Sequence, residues 1–188
     1  RIAASPSVEM AALSQDSLLF FVRLVSLSMG ILLVLVNRHV PESSERPEFF
    51  ALLLSSLAGI SMVALSNDLV ILFLALELVS VPTYILVGLS RTDIRAQEAA
   101  GKYFFLGAFA AAITLYGFSF LYGAAGTMQL FGPHSIAAAL EMPSIAADKL
   151  TLLGLLLSMS GLAFKIAAVP LPFYVADVSQ GAASPVAG

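Results

Sequence analysis

The chain has 188 residues, 59% of them hydrophobic and only 11% charged, with a net charge of −3 and no cysteine. A soluble domain carries about 25% charged residues, so this composition cannot cover a water-facing surface and the outer face must meet lipid. The missing cysteines exclude disulfides, thiolate metal sites and thiol redox chemistry, and the absence of a basic block excludes nucleic acid as a partner.

The sequence opens at Arg1 without a methionine and ends at Gly188 within a Pro/Gly/Ala segment, so it reads as a piece of a longer protein, incomplete at both ends. The leading segment, 1–16, contains RIAASPSVEM, which lacks the basic start and short apolar core of a signal peptide. Apolar runs then follow at 17–36, 49–66, 69–89, 103–122 and 150–169. Each approaches the ~20 residues that a bilayer span needs. A backbone in lipid must satisfy its own hydrogen bonds, so each run predicts a helix. The fold class is all-α: a polytopic transmembrane bundle over 17–188, with kinked or discontinuous helices and a broken-helix or loop segment at 170–188.

Arg23, inside the first run, reads as snorkelling to the nearby interface, with a pairing to a helix outside this sequence as the alternative. The loop at 37–48 carries both signs of charge and two prolines, which makes it a solvated turn with His39 exposed. Only Asn67 and Asp68 join the second and third runs, so those helices are antiparallel neighbours, and Asp68 is placed to cap the third. The loop at 90–101 holds Arg91, Asp93, Arg95 and Glu98. Asp93 there can cap a helix that begins near 96, ahead of the fourth apolar run. The longest connection, 123–149, contains SIAAALEM between Pro133 and Pro143, which predicts a short interfacial helix. His134 has no visible partner there. Lysine and arginine concentrate in the first and third loops, and the positive-inside rule puts those loops in the cytoplasm.

Glu77 lies about eight residues into the third run, roughly 12 Å along a helix axis. An ionisable group at that depth is costly and is a functional candidate before a structural one. Lys165 lies in the fifth run, in GLAFKIAAVP. The two share a pattern, since Glu77 precedes Pro82 and Lys165 precedes Pro170 by the same interval. Each proline removes an amide donor, which frees the carbonyl four residues back, at Leu78 or Ile166. Freed carbonyls are tolerated in a membrane where they are buried in protein or line a watery cavity. Two readings follow: a buried pair that only ties two helices together, or a proton site whose occupancy depends on a neighbouring charge. At ~7 Å and an effective dielectric of about 20, Coulomb's law gives about 2.4 kcal/mol between unit charges. That is enough for movement of Glu77 to switch whether the lysine keeps its proton.

Lys102 sits at the entrance of the fourth run, one turn after Glu98. It is either half of an i,i+4 surface pair or, if its helix starts near Ile94, a bundle-facing charge. Glycines 107, 117 and 123 and alanines 108, 110, 111 and 112 thin this helix and permit close packing. Asp177 reads as a cap rather than a proton site. The two histidines lie in separate loops without an acidic cluster, so no metal site is expected. Phosphate-loop and nucleophile–base motifs are not seen either.

The block ALELVSVPTYILVGLSRTDIRAQEAAGKYFFLGAFAAAITLYGFSFLYGAAGT and the later GLAFKIAAVPLPFYVADVSQGAASPV together resemble the subunit N family of NADH-quinone oxidoreductase, the bacterial complex I. The resemblance covers about 67–188. It implies an antiporter-like, multi-pass subunit of the bacterial inner (plasma) membrane, built from two inverted five-helix repeats. This chain would hold most of the first repeat as the family's third to seventh helices. It also implies that Glu77 and Lys165 form the charge pair of a proton channel, with Lys102 an auxiliary lysine. The seventh helix would be broken, in agreement with the kink expected at Pro170. No cofactor is implied in this chain, because NADH and quinone are used by partner subunits. The partners implied are other membrane subunits and lipid. The chain departs from the family's PFHxWAPDVYxGAPTPV: Pro172 stands for the histidine, Tyr174 for the tryptophan, Ala176 and Ala183 for prolines, and Ser179 for the tyrosine. The histidine would be the next step of the proton path after Lys165, so that step either uses water here or is altered. Two other functions compete: a subunit of a multi-subunit Na+/H+ antiporter, and a non-pumping membrane assembly scaffold.

Overall fold

The computed structural model describes residues 6–36, 46–89, 94–168 and 173–181. They form eight helices, with no strand among the described residues: α1 (Pro6–Val36), α2 (Arg46–Leu65), α3 (Leu69–Leu89), α4 (Ile94–Ala125), α5 (Ile136–Leu140), α6 (Pro143–Ala146), α7 (Lys149–Lys165) and α8 (Phe173–Gly181). Of these, α1, α2, α3 and α4 are long and apolar enough to cross a membrane. Helix α1 begins at Pro6, inside the segment expected to lead into it, and α4 begins at Ile94, just after Asp93, which is outside the described residues.

The short link between α2 and α3 is held from both sides. Asp68 Oδ1 accepts from the amides of Val70 and Ile71 at 2.9 and 3.2 Å, which caps α3 as its position predicts. The Asn67 side chain donates to the Phe131 carbonyl and accepts from the Phe131 amide, both at 2.9 Å. Backbone bonds from Leu69 to Met128 and from Leu130 to Asn67 complete the clasp. The short helix expected between Pro133 and Pro143 is α5, capped by the Ser135 side chain, and a further short helix, α6, follows it from Pro143. Pro143 opens α6, where proline suits a helix's first turn.

Helix α4 is the central element: it packs against α3, α7 and α8, while α2 packs on α3 and α1 on α2. The α4–α7 seam is made of small residues. A Cβ built on Gly161 would strike the Thr114 hydroxyl, and one built on Gly117 would strike Ser158. Gly154, Ser158 and Gly161 follow a helical stripe on α7 and are buried. With no hydrophobic drive between helices in lipid, such close backbone approach supplies the packing. It also fixes where the end of α7 lies relative to α3.

That end differs from expectation. The fifth apolar run continues to 169, but α7 stops at Lys165, ahead of Pro170, which lies outside the described residues. Proline at 170 has no amide to give the Ile166 carbonyl, so a helix cannot profitably run on through it. A Schellman motif closes the break: Ala167 N–H donates to the Phe164 carbonyl and Ala168 N–H to that of Ala163, both at 2.9 Å. Ala167 takes the left-handed position at φ +52°, where glycine is usual. Pro82, by contrast, lies buried within an uninterrupted α3. Close to the carbonyl that Pro82 leaves without a donor, Gly59 of α2 packs on the Leu78–Val79 backbone, 2.8–2.9 Å from where its Cβ would lie.

Candidate functional site

Glu77 and Ser80 stand three residues apart on α3 and therefore share a face. Lys165, the last residue of α7, reaches both. Its Nζ donates to Glu77 Oε1 at 2.8 Å and to Ser80 Oγ at 2.8 Å. The Lys165 side chain is 11% exposed and that of Glu77 23%. The two charges are thus in direct contact, much closer than the separation assumed for the sequence-based Coulomb energy. A pair this sheltered is costly to desolvate, and breaking it by removing one partner costs about 3–5 kcal/mol. Ser80 Oγ also donates to the Leu76 carbonyl at 2.8 Å, and Thr83 Oγ1 to that of Ser80 at 2.7 Å.

Aromatic side chains wall the pair. Tyr84 and Tyr103 meet edge to face with centroids 4.5 Å apart, Tyr103 stacks on Tyr174 at 5.1 Å, and Tyr174 stacks on Phe164 at 4.5 Å. Tyr174 Oη donates to the Phe164 carbonyl at 3.0 Å, which docks α8 against the residue before Lys165. The Tyr84 hydroxyl lies over Gly107, where a Cβ would collide with it. Lys165, Ser80, Thr83 and the three tyrosines line a cavity of about 400 Å³ together with apolar residues of α1, α2, α3 and α7. The ammonium and hydroxyls on its lining give a space of that size partners for water.

Lys102 is not brought into this cluster. Its Nζ pairs with Glu98 at 2.8 Å on the outer side of α4, with side chains 48% and 59% exposed. Pro82 is buried within α3, whereas Pro170 and Pro172 lie outside the described residues, as does the Asp177 side chain. Arg23 and His134 are exposed. Among the described residues no group of three or more His, Cys, Asp or Glu side chains could hold a metal. Ser80, Tyr84, Tyr103 and Tyr174 were not singled out as site residues from the sequence. A signal was present for the first two: Glu77, Ser80 and Tyr84 follow i, i+3, i+7 spacing, one polar stripe on an apolar helix.

Residues 66–187 match the family model described as NADH:quinone oxidoreductase/Mrp antiporter, TM. The chain is 41% identical over 171 residues to NADH-quinone oxidoreductase subunit N of Myxococcus xanthus, covering 91% of this chain and 32% of that protein. It is 44% identical over 142 residues to the subunit N of Mycobacterium tuberculosis, covering 75% of this chain and 26% of that one. The chain thus spans about a third or less of the length of these relatives. Among solved structures it superposes on a chain of respiratory complex I from Thermus thermophilus with bound aureothin. The TM-score is 0.70 at 35% identity, covering 88% of this chain and 34% of that one. A chain of the membrane-bound sulfane sulfur reductase, an archaeal respiratory membrane complex, gives 0.72 at 26% identity, covering 83% and 31%. With its apolar helices and the family match over most of its length, this is a multi-pass membrane protein, and it belongs to the NADH:quinone oxidoreductase/Mrp antiporter transmembrane family.

Proposed function

We propose that the chain is part of a proton-translocating membrane subunit of a respiratory NADH:quinone oxidoreductase, seated in the inner (plasma) membrane of a bacterium. It moves protons through the Glu77–Lys165 pair and is driven by redox chemistry in other subunits. It has no reaction of its own and no redox cofactor, because NADH and quinone are used by its partners. Other membrane subunits and lipid surround it.

The observation that carries this reading is the contact between Lys165 Nζ and Glu77 Oε1. Across that 2.8 Å contact each charge holds the other in place. When Glu77 swings away, Lys165 loses that hold and can release a proton to water in the adjoining cavity. When Glu77 returns, the lysine is reloaded. Glu77 thus modulates and Lys165 carries the proton. Lys102 is an auxiliary charge on the outward side of α4, in reach of whatever helix or subunit covers that face. Pro82 and Pro170 are assigned a cavity-shaping role through the carbonyls they leave without an amide donor.

The test uses the full-length subunit in its assembled complex. Glu77→Gln and Lys165→Met should assemble yet lose NADH-driven proton translocation. A scaffold whose buried pair only holds helices would assemble and support full pumping. A sodium/proton antiporter subunit would instead show sodium-dependent proton movement without NADH. The subunit N relatives support the oxidoreductase reading over that one.

A further inference from the structure

The Lys165 ammonium has three donors, and the structure engages two of them: one on Glu77 and one on Ser80. These two acceptors differ chemically. An ionised carboxylate only accepts, whereas a hydroxyl both donates and accepts and can rotate between the two roles. In the present arrangement the Ser80 proton points to the Leu76 carbonyl while its oxygen receives the ammonium.

We propose that Ser80 is a participating residue of the proton relay, the partner that holds Lys165 at the cavity wall in both of its protonation states. This rests on the relay assigned above. On release, an N–H bond of the ammonium breaks, its proton passes to a water in the cavity, and the electron pair stays on Nζ. The Ser80 hydroxyl then turns from the Leu76 carbonyl and donates to that pair, its own proton remaining on Oγ. The Leu76 carbonyl stays satisfied, because in an α-helix it also receives the amide of the residue four positions on, which is that of Ser80 itself. The rotation therefore leaves the Leu76 carbonyl paired, and on reloading it reverses.

The surroundings favour Ser80 for this task over any other group. Glu77 is the acidic side chain in contact with Lys165. Tyr84 of α3, Tyr103 of α4 and Tyr174 of α8 share the cavity wall; Tyr84 is hydrogen-bonded to Ser80 itself, and Tyr174 spends its proton on the Phe164 carbonyl. From α1 and α2 the cavity receives only apolar residues, Val22, Ile60, Val63 and Ala64. Of the α3 hydroxyls on this wall, Ser80, Thr83 and Tyr84, it is that of Ser80 that accepts from Lys165 Nζ.

The test uses the full-length subunit assembled in its complex, in inverted membrane vesicles, with NADH oxidation and proton uptake measured together and assembly followed on native gels. Ser80→Ala removes the hydroxyl while keeping good helix propensity. Ser80→Thr retains the hydroxyl, and the cavity beside it gives room for the added methyl. Ser80→Ala should assemble, oxidise NADH and translocate severalfold fewer protons per NADH, while Ser80→Thr should recover most of the loss. Full translocation in Ser80→Ala overturns the proposal, as does an equal loss in both variants, which would mark packing rather than the hydroxyl. Failure of Ser80→Ala to assemble overturns it too, because the hydroxyl would then serve folding. Lys165→Met, run alongside, separates the levels. If it still pumps, the relay itself fails; if it does not while Ser80→Ala pumps fully, only the role of Ser80 fails.

Discussion

Tyr174 donates its hydroxyl to the carbonyl of Phe164 at 3.0 Å while stacking on the Phe164 ring. One contact thereby joins α8 to the residue preceding Lys165 and holds the helix end from which the lysine reaches across to α3. Tyr174→Phe keeps the stack and leaves that carbonyl with its bond from Ala167. The expected cost is about 1 kcal/mol, read as a modest drop in the thermal stability of the full-length subunit in detergent, whereas Tyr174→Ala should cost about 3–5 kcal/mol.

The Ala167 backbone carries strain that a glycine would remove. A left-handed alanine costs roughly 1–2 kcal/mol, offset in part by the greater freedom glycine gains when unfolded. Ala167→Gly should therefore be neutral or up to about 1 kcal/mol more stable, and Ala167→Val distinctly less stable than either, in the same thermal assay.

Two glycines of similar appearance in the sequence should respond oppositely to added bulk. Gly161→Leu drives a side chain into Thr114 and the Ala110 carbonyl and should part α7 from α4, with loss of assembly on native gels. Gly123, within α4, has nothing within 4 Å of a built Cβ. Gly123→Ala should stabilise by up to about 1 kcal/mol through helix propensity.

The Glu98–Lys102 pair is exposed and spaced i,i+4, an arrangement worth about 0.2–0.5 kcal/mol. Lys102→Met should leave stability almost unchanged. A fall in proton translocation without a fall in assembly would then report its auxiliary role, and an unchanged rate would remove it from the relay.

Much of this architecture is legible in the sequence, and the reasons are physical. Apolar runs of bilayer length must be helices, so the spanning elements follow from hydropathy. A two-residue link forces α2 and α3 together, and Asp68 announces its own cap. Glu77 and Lys165 stand out because isolated charges are rare in such runs. What sequence pattern does not reveal is contact across the bundle. The clasp between Asn67 and Phe131 joins residues 64 apart, and nothing local marks it. The end of α7 at Lys165 depends on a left-handed alanine, which composition does not forecast because glycine normally takes that place. Ser80 is not marked in the sequence, because a serine in a membrane helix usually bonds its own backbone, as this one does, and its second bond comes from another helix.

The central claim is that Lys165 gives up and regains a proton, and does more than pin two helices. Lys165→Arg addresses that directly, since arginine can pair with Glu77 but does not deprotonate in proteins. In the full-length subunit within its assembled complex, the account predicts normal assembly and NADH oxidation with proton translocation through this subunit lost. Undiminished translocation by the arginine variant would contradict it.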